Sequence, residues 1–383
     1  MKGPARGPEG VAAFRGALLA HFDRNRRALP WRVGRTPYRV MVSEFMLQQT
    51  RVETVVPYYE RWMRRFPDWD ALAGAEPDDV ILEWKGLGYY ARARNLHRTA
   101  LAVRERYGGR LPADPEELRT LPGVGEYTAG AVASIAFGRA VPAVDGNVKR
   151  VLARLLDLER PAAGRLRREA ARLVDPNRPG DFNEAMMELG AMVCAPRSPR
   201  CAECPVAGWC RARMAGTVGE RPARGRGVRG RGVRRVEYAV AVLVDEAGRT
   251  LLVRRPPEGL LAGMWEFPAV RVGEGAGGVG GGGLPVAASH VGPAESLPVV
   301  HHAFTHLRAA YRPVIIRVPR STRRVGCPSH HAPAAWVHHA HLDEWALPVA
   351  QQKIGALLTE WLARPGDGPL NSPTACTPHP GSG

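Results

Sequence analysis

Asp114-Pro115-Glu116-Glu117-Leu118-Arg119-Thr120-Leu121-Pro122-Gly123-Val124-Gly125-Glu126-Tyr127-Thr128-Ala129-Gly130-Ala131 is a helix, a tight turn and the start of a second helix. Asp114 is placed to cap, Pro115 occupies the first helical position and the glutamates fall in capping-box register, so a helix begins here and ends by Leu121. Pro122-Gly123-Val124-Gly125 then turns the chain into an alanine-rich helix over Tyr127 to Phe137. The pair is a helix-hairpin-helix. Its glycines let backbone amides approach a phosphate at the second helix's N-terminus, where the helix dipole favours an anion. An αα-hairpin that merely needs a tight turn fits the same residues, and the hairpin alone does not choose between the two.

About seventy residues further on lies the feature that does. Cys194, Cys201, Cys204 and Cys210 are separated by six, two and five residues within a 17-residue span. Zinc sites usually present two Cys-x2-Cys pairs far apart, whereas here one such pair sits inside a single loop, so the spacing indicates a 4Fe-4S cluster, then zinc, then disulfides. The loop carries Arg197 and Arg200 between its first two cysteines and no acid there, as suits a loop held against an anionic backbone. Plain solvated surface is the alternative. Cys327 and Cys376 lie far away without a partner motif, and an intracellular, reducing compartment fits best.

The chain has 383 residues, enough for two or three domains. Its net charge is +17, from 54 basic and 37 acidic residues, which favours an anionic partner such as nucleic acid over a membrane surface. Only four of the basic residues are lysine, so part of the bias reflects genomic base composition. Neither a signal core at the N-terminus nor a run of about 18 apolar residues is present, so a soluble cytoplasmic protein without membrane contact is expected, acting as a monomer.

From about Val11 to Met214 apolar residues recur at helical spacing. Residues 216–235 hold seven arginines, one acid and repeated glycine, a basic flexible linker. Strand-like runs follow at Val236 to Val244, Thr250 to Val253 and near Val299 and Val314, with a terminal helix over Val349 to Leu362. The fold class is therefore multidomain: an all-α domain over 1–215, with a hairpin-bearing six-helix part at about 31–149 and a cysteine-loop part made of 11–30 and 150–215, then an α+β domain over 236–364. Gly273 to Gly283 reads as low-complexity loop, and residues 365–383 as a disordered tail.

Glu44 sits in a helical run beside Val40, Met41, Phe45 and Leu47, an environment that raises a carboxyl's pKa. Asp145 precedes Gly146-Asn147 and a helix, and its first job is to cap it. Thr50-Arg51-Val52-Glu53 is a capping box opening another helix, which leaves Gln48 and Gln49 in the turn before it.

Taken together, Leu121-Pro122-Gly123-Val124-Gly125, Asp145 and the cysteine loop resemble the helix-hairpin-helix DNA glycosylase superfamily, whose iron-sulfur members include endonuclease III. Leu29-Pro30-Trp31-Arg32, Thr36-Pro37-Tyr38, Ser43 to Thr50, Gly86 to Arg92 and Val144 to Val148 are similar to one branch, the adenine DNA glycosylases that remove adenine mispaired with 8-oxoguanine. The likeness is dense over about 11–214 and looser beyond.

What the resemblance implies is specific. Glu44 would be the general acid that protonates the leaving adenine, Asp145 the carboxylate that stabilises the oxocarbenium sugar, and Tyr127 a tyrosine at the reaction centre, where strand-cutting relatives carry a lysine. Asn147 belongs to the same segment as Asp145. Gln49 and Tyr89 would enter the base stack, with Gln48 and Thr50 beside them. Trp31, Arg32 and Glu184 would line the adenine pocket; the ordinary alternative is core and salt-bridge material. Pro122, Gly123, Val124 and Gly125, with Arg197 and Arg200, would hold the DNA backbone. Residues 236–253, 259–268 and 349–362 resemble the Nudix-related domain of that family, and between Gly259 and His290 the glutamate-rich helix of a working Nudix hydrolase is missing. Phe304-Thr305-His306 resembles a Phe-Ser-His loop that reads 8-oxoguanine, with threonine replacing serine. The expected partner is double-stranded DNA containing adenine:8-oxoguanine or adenine:guanine mispairs. The histidines at 301, 302, 330, 331, 338, 339 and 341 lack regular ligand spacing and are taken as surface residues.

Overall fold

The structure, a computed structural model, describes residues 7–223, 234–272, 294–304, 306–319 and 333–364. Thr305, His330, His331, Cys327, Cys376, the glycine-rich run from Gly273 and the C-terminal tail lie outside the described residues. The chain divides into two compact units, Met1–Arg229 and Gly230–Gly383. No helix among the described residues is long and apolar enough to cross a membrane.

The first unit is helical throughout its described part. Its elements in order are α1 (Gly7–Asn25), α2 (Pro37–Leu47), α3 (Val52–Arg65), α4 (Trp69–Ala73), α5 (Pro77–Glu83), α6 (Ala91–Tyr107), α7 (Pro115–Arg119), α8 (Glu126–Phe137), α9 (Gly146–Leu155), α10 (Ala163–Leu173), α11 (Pro179–Glu188) and α12 (Arg211–Met214). A 3-10 turn over Pro30–Arg32 joins α1 to α2, and one π-helical turn over Leu189–Val193 carries α11 into the cysteine loop. One core gathers Phe14, Leu18 and Phe22 of α1 with Val148, Val151 and Leu152 of α9, Leu166 of α10 and Phe182 and Met186 of α11. Elsewhere Met41, Phe45, Trp62, Phe66, Trp84 and Leu96 are fully enclosed. The Tyr38 hydroxyl donates to the Phe66 carbonyl at 2.6 Å and accepts from the Trp62 indole at 3.2 Å, so the polar edges of this aromatic cluster are satisfied.

Local chemistry fixes four of these helix starts. Thr36 caps α2, Asp68 caps α4, Asp114 caps α7 and Asp145 caps α9, each by a side-chain oxygen accepting a first-turn amide. The expected capping box at Thr50 does not form. Arg51 is the N-cap of α3 and makes no side-chain cap bond, and the Thr50 hydroxyl is instead engaged by the guanidinium of Arg92 at 3.1 Å.

The second unit is a mixed sheet with a helix against it. Its strands are β1 (Arg234–Asp245), β2 (Arg249–Arg254), β3 (Trp265–Glu266), β4 (Ala269–Arg271), β5 (Ala294–Ser296), β6 (Val300–Ala303), β7 (Leu307–Val318) and β8 (Ala334–His338), followed by α13 (Val349–Leu362). β1 runs parallel to β7 from Arg234↔Leu307 to Asp245↔Val318, and the remaining pairings are antiparallel. Ala241, Leu243, Leu251, Ile316 and Val318 form a buried cluster on the sheet. Gln351 of α13 is buried and accepts the Phe267 amide at 3.2 Å, and Trp361 donates to Glu295 at 2.8 Å.

Candidate functional site

The site is built where α2, α8, α9 and α11 of the first unit converge. Glycine makes the approach possible: a Cβ on Gly130 of α8 would sit 2.3 Å from the Pro142 carbonyl oxygen, so the segment leading to Asp145 rests directly on helix backbone. Buried Asn183 of α11 fastens the same segment. Its side chain accepts the Ala143 amide at 3.1 Å and donates to Ser134 and the Val141 carbonyl at 2.8 and 2.9 Å.

Glu44 lies near the C-terminal end of α2 and is only 6% exposed. Its Oε2 is buried with no hydrogen-bond partner. Burial, the largest influence, pushes its carboxyl up to about 7; the negative charges of Glu184 and Asp145 add to the rise, and the Tyr127 hydroxyl opposes it. Asp145 is also raised by burial, but it accepts the Val148 amide at 2.7 Å and the Asn147 side chain at 2.9 Å, and those donors together with Arg150 limit the rise. Two acids in one site thus have opposite provisions: one keeps an oxygen without a partner and holds its proton, the other is supplied with donors that stabilise its anion.

Tyr127 stands between them on α8. Its hydroxyl donates to the Met187 thioether at 3.2 Å, and burial with the neighbouring charges of Glu44 and Asp145 raises its pKa well above the ordinary tyrosine value. It stays neutral at physiological pH.

Behind Glu44 the third carboxylate, Glu184, is fully occupied. Arg32 donates to Glu184 at 2.8 Å and to Glu188 at 2.9 Å, Arg35 reaches the other oxygen of Glu184, and Arg27 pairs with Glu188 at 3.0 Å. Burial alone would ease the proton off Arg32, but Glu184 and Glu188 more than compensate and raise its pKa. Trp31 is buried and packs edge-on to Tyr59, ring centres 5.4 Å apart.

Gln48 and Gln49 form the turn after α2. Gln48 points inward, its amide 3.4 Å from Thr128 of α8. Gln49 is exposed and held at φ +57°, a left-handed conformation unusual for a residue with a Cβ. Tyr89 repeats the pattern in the turn before α6, with φ +48° and 49% exposure. Arg92, one of the residues quoted above for the family motif but given no role there, is what joins the two turns. A sequence signal was available: Arg92 shares a helical stripe with Leu96, Thr99 and Val103, all of them buried.

The hairpin turns through Gly123 at φ +74°, where a Cβ would strike Asn95 of α6 at 2.7 Å. Thr99 of α6 donates to the Pro122 carbonyl at 2.9 Å. Gly125, the N-cap of α8, offers no side chain to the first-turn amides, which suits an external anion there.

Cys194, Cys201, Cys204 and Cys210 are all free thiols and line one hollow together with Val193, Ala207, Arg154 and Arg200. Among the described residues no group of three or more His, Cys, Asp or Glu is drawn together tightly enough to hold a single metal ion. Burial pushes the Cys204 thiol up to about 11, and its three neighbours add to that. Arg154 donates to the Cys194 sulfur at 3.3 Å and to the Ala195 carbonyl at 2.7 Å. Arg197 is exposed, whereas Arg200 is drawn to Glu203 at 3.0 Å and the Met192 carbonyl at 2.7 Å, so its charge is partly spent within the loop.

In the second unit Phe304 closes the β6–β7 turn by donating its amide to the Leu307 carbonyl at 2.8 Å, and its ring stacks edge-on to His302. His306 is exposed. The described histidines at 302, 338 and 339 are half-buried rather than on open surface, and His338 stacks on His339.

This helical hairpin unit with two inward-facing acids defines a base-excision DNA glycosylase. Residues 42–176 match the HhH-GPD superfamily of base excision DNA repair proteins, and residues 239–357 match the NUDIX domain. The chain is 36% identical to a mouse adenine DNA glycosylase, over 90% of this chain and 77% of that protein, and 42% identical to one from Mycobacterium tuberculosis, over 64% of this chain and 87% of that protein. The human adenine DNA glycosylase is 42% identical over 68% of this chain and 58% of its own length. A thermostable thymine-DNA glycosylase structure superposes with a TM-score of 0.51 at 30% identity, covering 54% of this chain and 97% of that one. The chain belongs to the adenine DNA glycosylase family.

Proposed function

We propose that the chain hydrolyses the N-glycosidic bond of adenine mispaired with 8-oxoguanine or guanine in duplex DNA, and does not cut the backbone. The observation that carries the reading is Glu44, buried, raised to about 7 and with one carboxyl oxygen unpartnered. Leaving such an atom unsatisfied is expensive unless something docks on it. A flipped adenine supplies N7. Glu44 gives that nitrogen its proton, and the bonding pair leaves with a now neutral base. The ionised Asp145 then faces the positive sugar, and water completes the hydrolysis by adding oxygen at C1′ and losing a proton.

Gln49 and Tyr89 are the residues that enter the stack when the base leaves it, and the hairpin holds the phosphate. A backbone lyase needs an amine at the sugar; Tyr127 occupies the position, and its neutral phenol has no such chemistry. The four thiols fit a 4Fe-4S cluster, since they line one hollow with no carboxylate or imidazole among them. Bound there, a cluster would fix the loop through four iron–thiolate bonds. The β6–β7 turn with Phe304 and His306 reads the lesion, and the Thr305 hydroxyl takes part.

Single-turnover reactions on duplexes carrying adenine:8-oxoguanine, adenine:guanine or thymine glycol, read with and without alkali, test this. Base release from the first two, with strand breaks only after alkali, is expected. Breaks without alkali would mark a bifunctional enzyme of the endonuclease III type, and binding without release a damage-binding protein.

A further inference from the structure

Arg92 is buried, 6% exposed, and among the described residues no carboxylate pairs with it. Its Nη1 donates to the carbonyls of Phe45 at 3.0 Å, Met46 at 2.7 Å and Gln48 at 2.6 Å. Its Nη2 donates to the Thr50 hydroxyl at 3.1 Å and to the carbonyls of Leu87 at 3.3 Å and Gly88 at 3.1 Å. The guanidinium is further flanked by the rings of Trp84 and Tyr89 at 5.3 and 5.5 Å. Phe45 and Met46 supply the last carbonyls of α2, which carry the negative end of its dipole and lack partners within the helix.

Burying a lone cation is costly, and a packed apolar residue would serve stability better. What the guanidinium gains in exchange is control of two turns at once. Each turn ends in an exposed residue with positive φ, Gln49 or Tyr89, and such conformations persist only where the surroundings over-determine them. The geometry points to Arg92 as the positioning residue that sets the spacing and angle of the two side chains that enter the DNA stack. The inference rests on reading Gln49 and Tyr89 as those side chains. It also explains the shared helix: Arg92, Asn95 and Thr99 lie along α6, about 10 Å from first to last, so one rigid element places both the stack-piercing turns and the phosphate-binding hairpin.

Lysine keeps the charge at position 92 but is a point donor, unable to span six acceptors in a planar fork. Arg92→Lys in the full chain is expected to release adenine from an adenine:8-oxoguanine duplex about tenfold more slowly or worse under single turnover. On a duplex whose adenine is bulged out and already unstacked, the deficit relative to the parent should shrink to within about threefold. The pH midpoint of base release, set by Glu44 on α2, should not move. Gln49→Ala and Tyr89→Ala, measured alongside, should show the same duplex-dependent deficit. An equal deficit on both duplexes, a shifted midpoint, or parental rates in Arg92→Lys would overturn the inference. If instead Gln49→Ala and Tyr89→Ala both keep parental rates, the stack-entry reading fails and takes this inference with it. Should Arg92→Lys not fold, Thr50→Val removes one acceptor and leaves the guanidinium in place; the duplex-dependent deficit should persist in weaker form, and its absence counts against the role.

Discussion

Replacing Glu44 by glutamine removes the ionisable proton and nearly nothing else, so it separates acid chemistry from shape. In the parent, Glu44 titrates at about 7 instead of its ordinary 4.5. At about 1.4 kcal/mol for each tenfold step, ionising it inside the fold costs about 3 kcal/mol. The sign follows from proton counting. Between pH 4.5 and 7 the folded chain holds a proton that the unfolded chain has lost, so stability is full below 4.5, declines across that window and is flat above it. Glu44→Gln lacks the decline. The stability difference between variant and parent should therefore grow by about 3 kcal/mol in the variant's favour from pH 4.5 to pH 8, read by urea denaturation of both proteins at matched pH; the difference cancels groups common to the two. Activity should move the other way. Parental kcat/KM should fall roughly tenfold from pH 6 to pH 8 as the acid form is depleted, and the variant should lose at least about 100-fold at every pH while still binding the duplex. A parental profile that is level from pH 6 to 8, or a stability difference independent of pH, would refute the proton-donor assignment.

Asp145→Asn retains a good helix cap, so α9 should lose no more than about 1 kcal/mol by thermal melting, while base release falls about 100-fold or more; a rate within tenfold of the parent would reduce Asp145 to its capping job. Cys204→Ser should lower bound iron and acid-labile sulfide together and open the 194–210 loop to proteolysis, and one zinc per chain with no iron in the parent would replace the cluster reading. Gly130→Ala forces a methyl against the Pro142 carbonyl and should cost about 1–3 kcal/mol by overpacking, with base release impaired because the shifted segment carries Asp145; unchanged stability would show that the segment yields freely.

Much of this was legible in the residues because it is local. Capping at Asp114 and Asp145 needs only a short acid before a helix, and the hairpin only a Pro-Gly-Val-Gly turn between two helical runs. Burial of Glu44 followed from its apolar neighbours along α2. What sequence spacing could not convey is competition among distant partners. Thr50 looked like a capping residue until Arg92, 42 positions later, claimed its hydroxyl. Arg200 looked free for phosphate, yet Glu203 and a carbonyl engage it. Glu184 gave no sign in sequence that it shares Arg32 with Glu188 and also takes Arg35. Side chains with several donors settle where three-dimensional proximity offers the most acceptors, and that is decided only when the helices meet.

The side-by-side run of β1 and β7 sets a demand on how the second unit is made. Parallel neighbours twelve residues long, separated by about 60 residues of intervening chain, cannot zip from a short turn. During synthesis the aliphatic stretch Val240–Val244 must therefore wait, half-covered, until β7 has left the ribosome, and closing so large a loop slows its maturation. The helical unit, rich in near-neighbour contacts, would be finished first. Chaperone dependence and inclusion-body formation in this protein are thus expected to trace to residues after 234, and a pulse-labelled chain should acquire protease resistance from its N-terminal part before its C-terminal part.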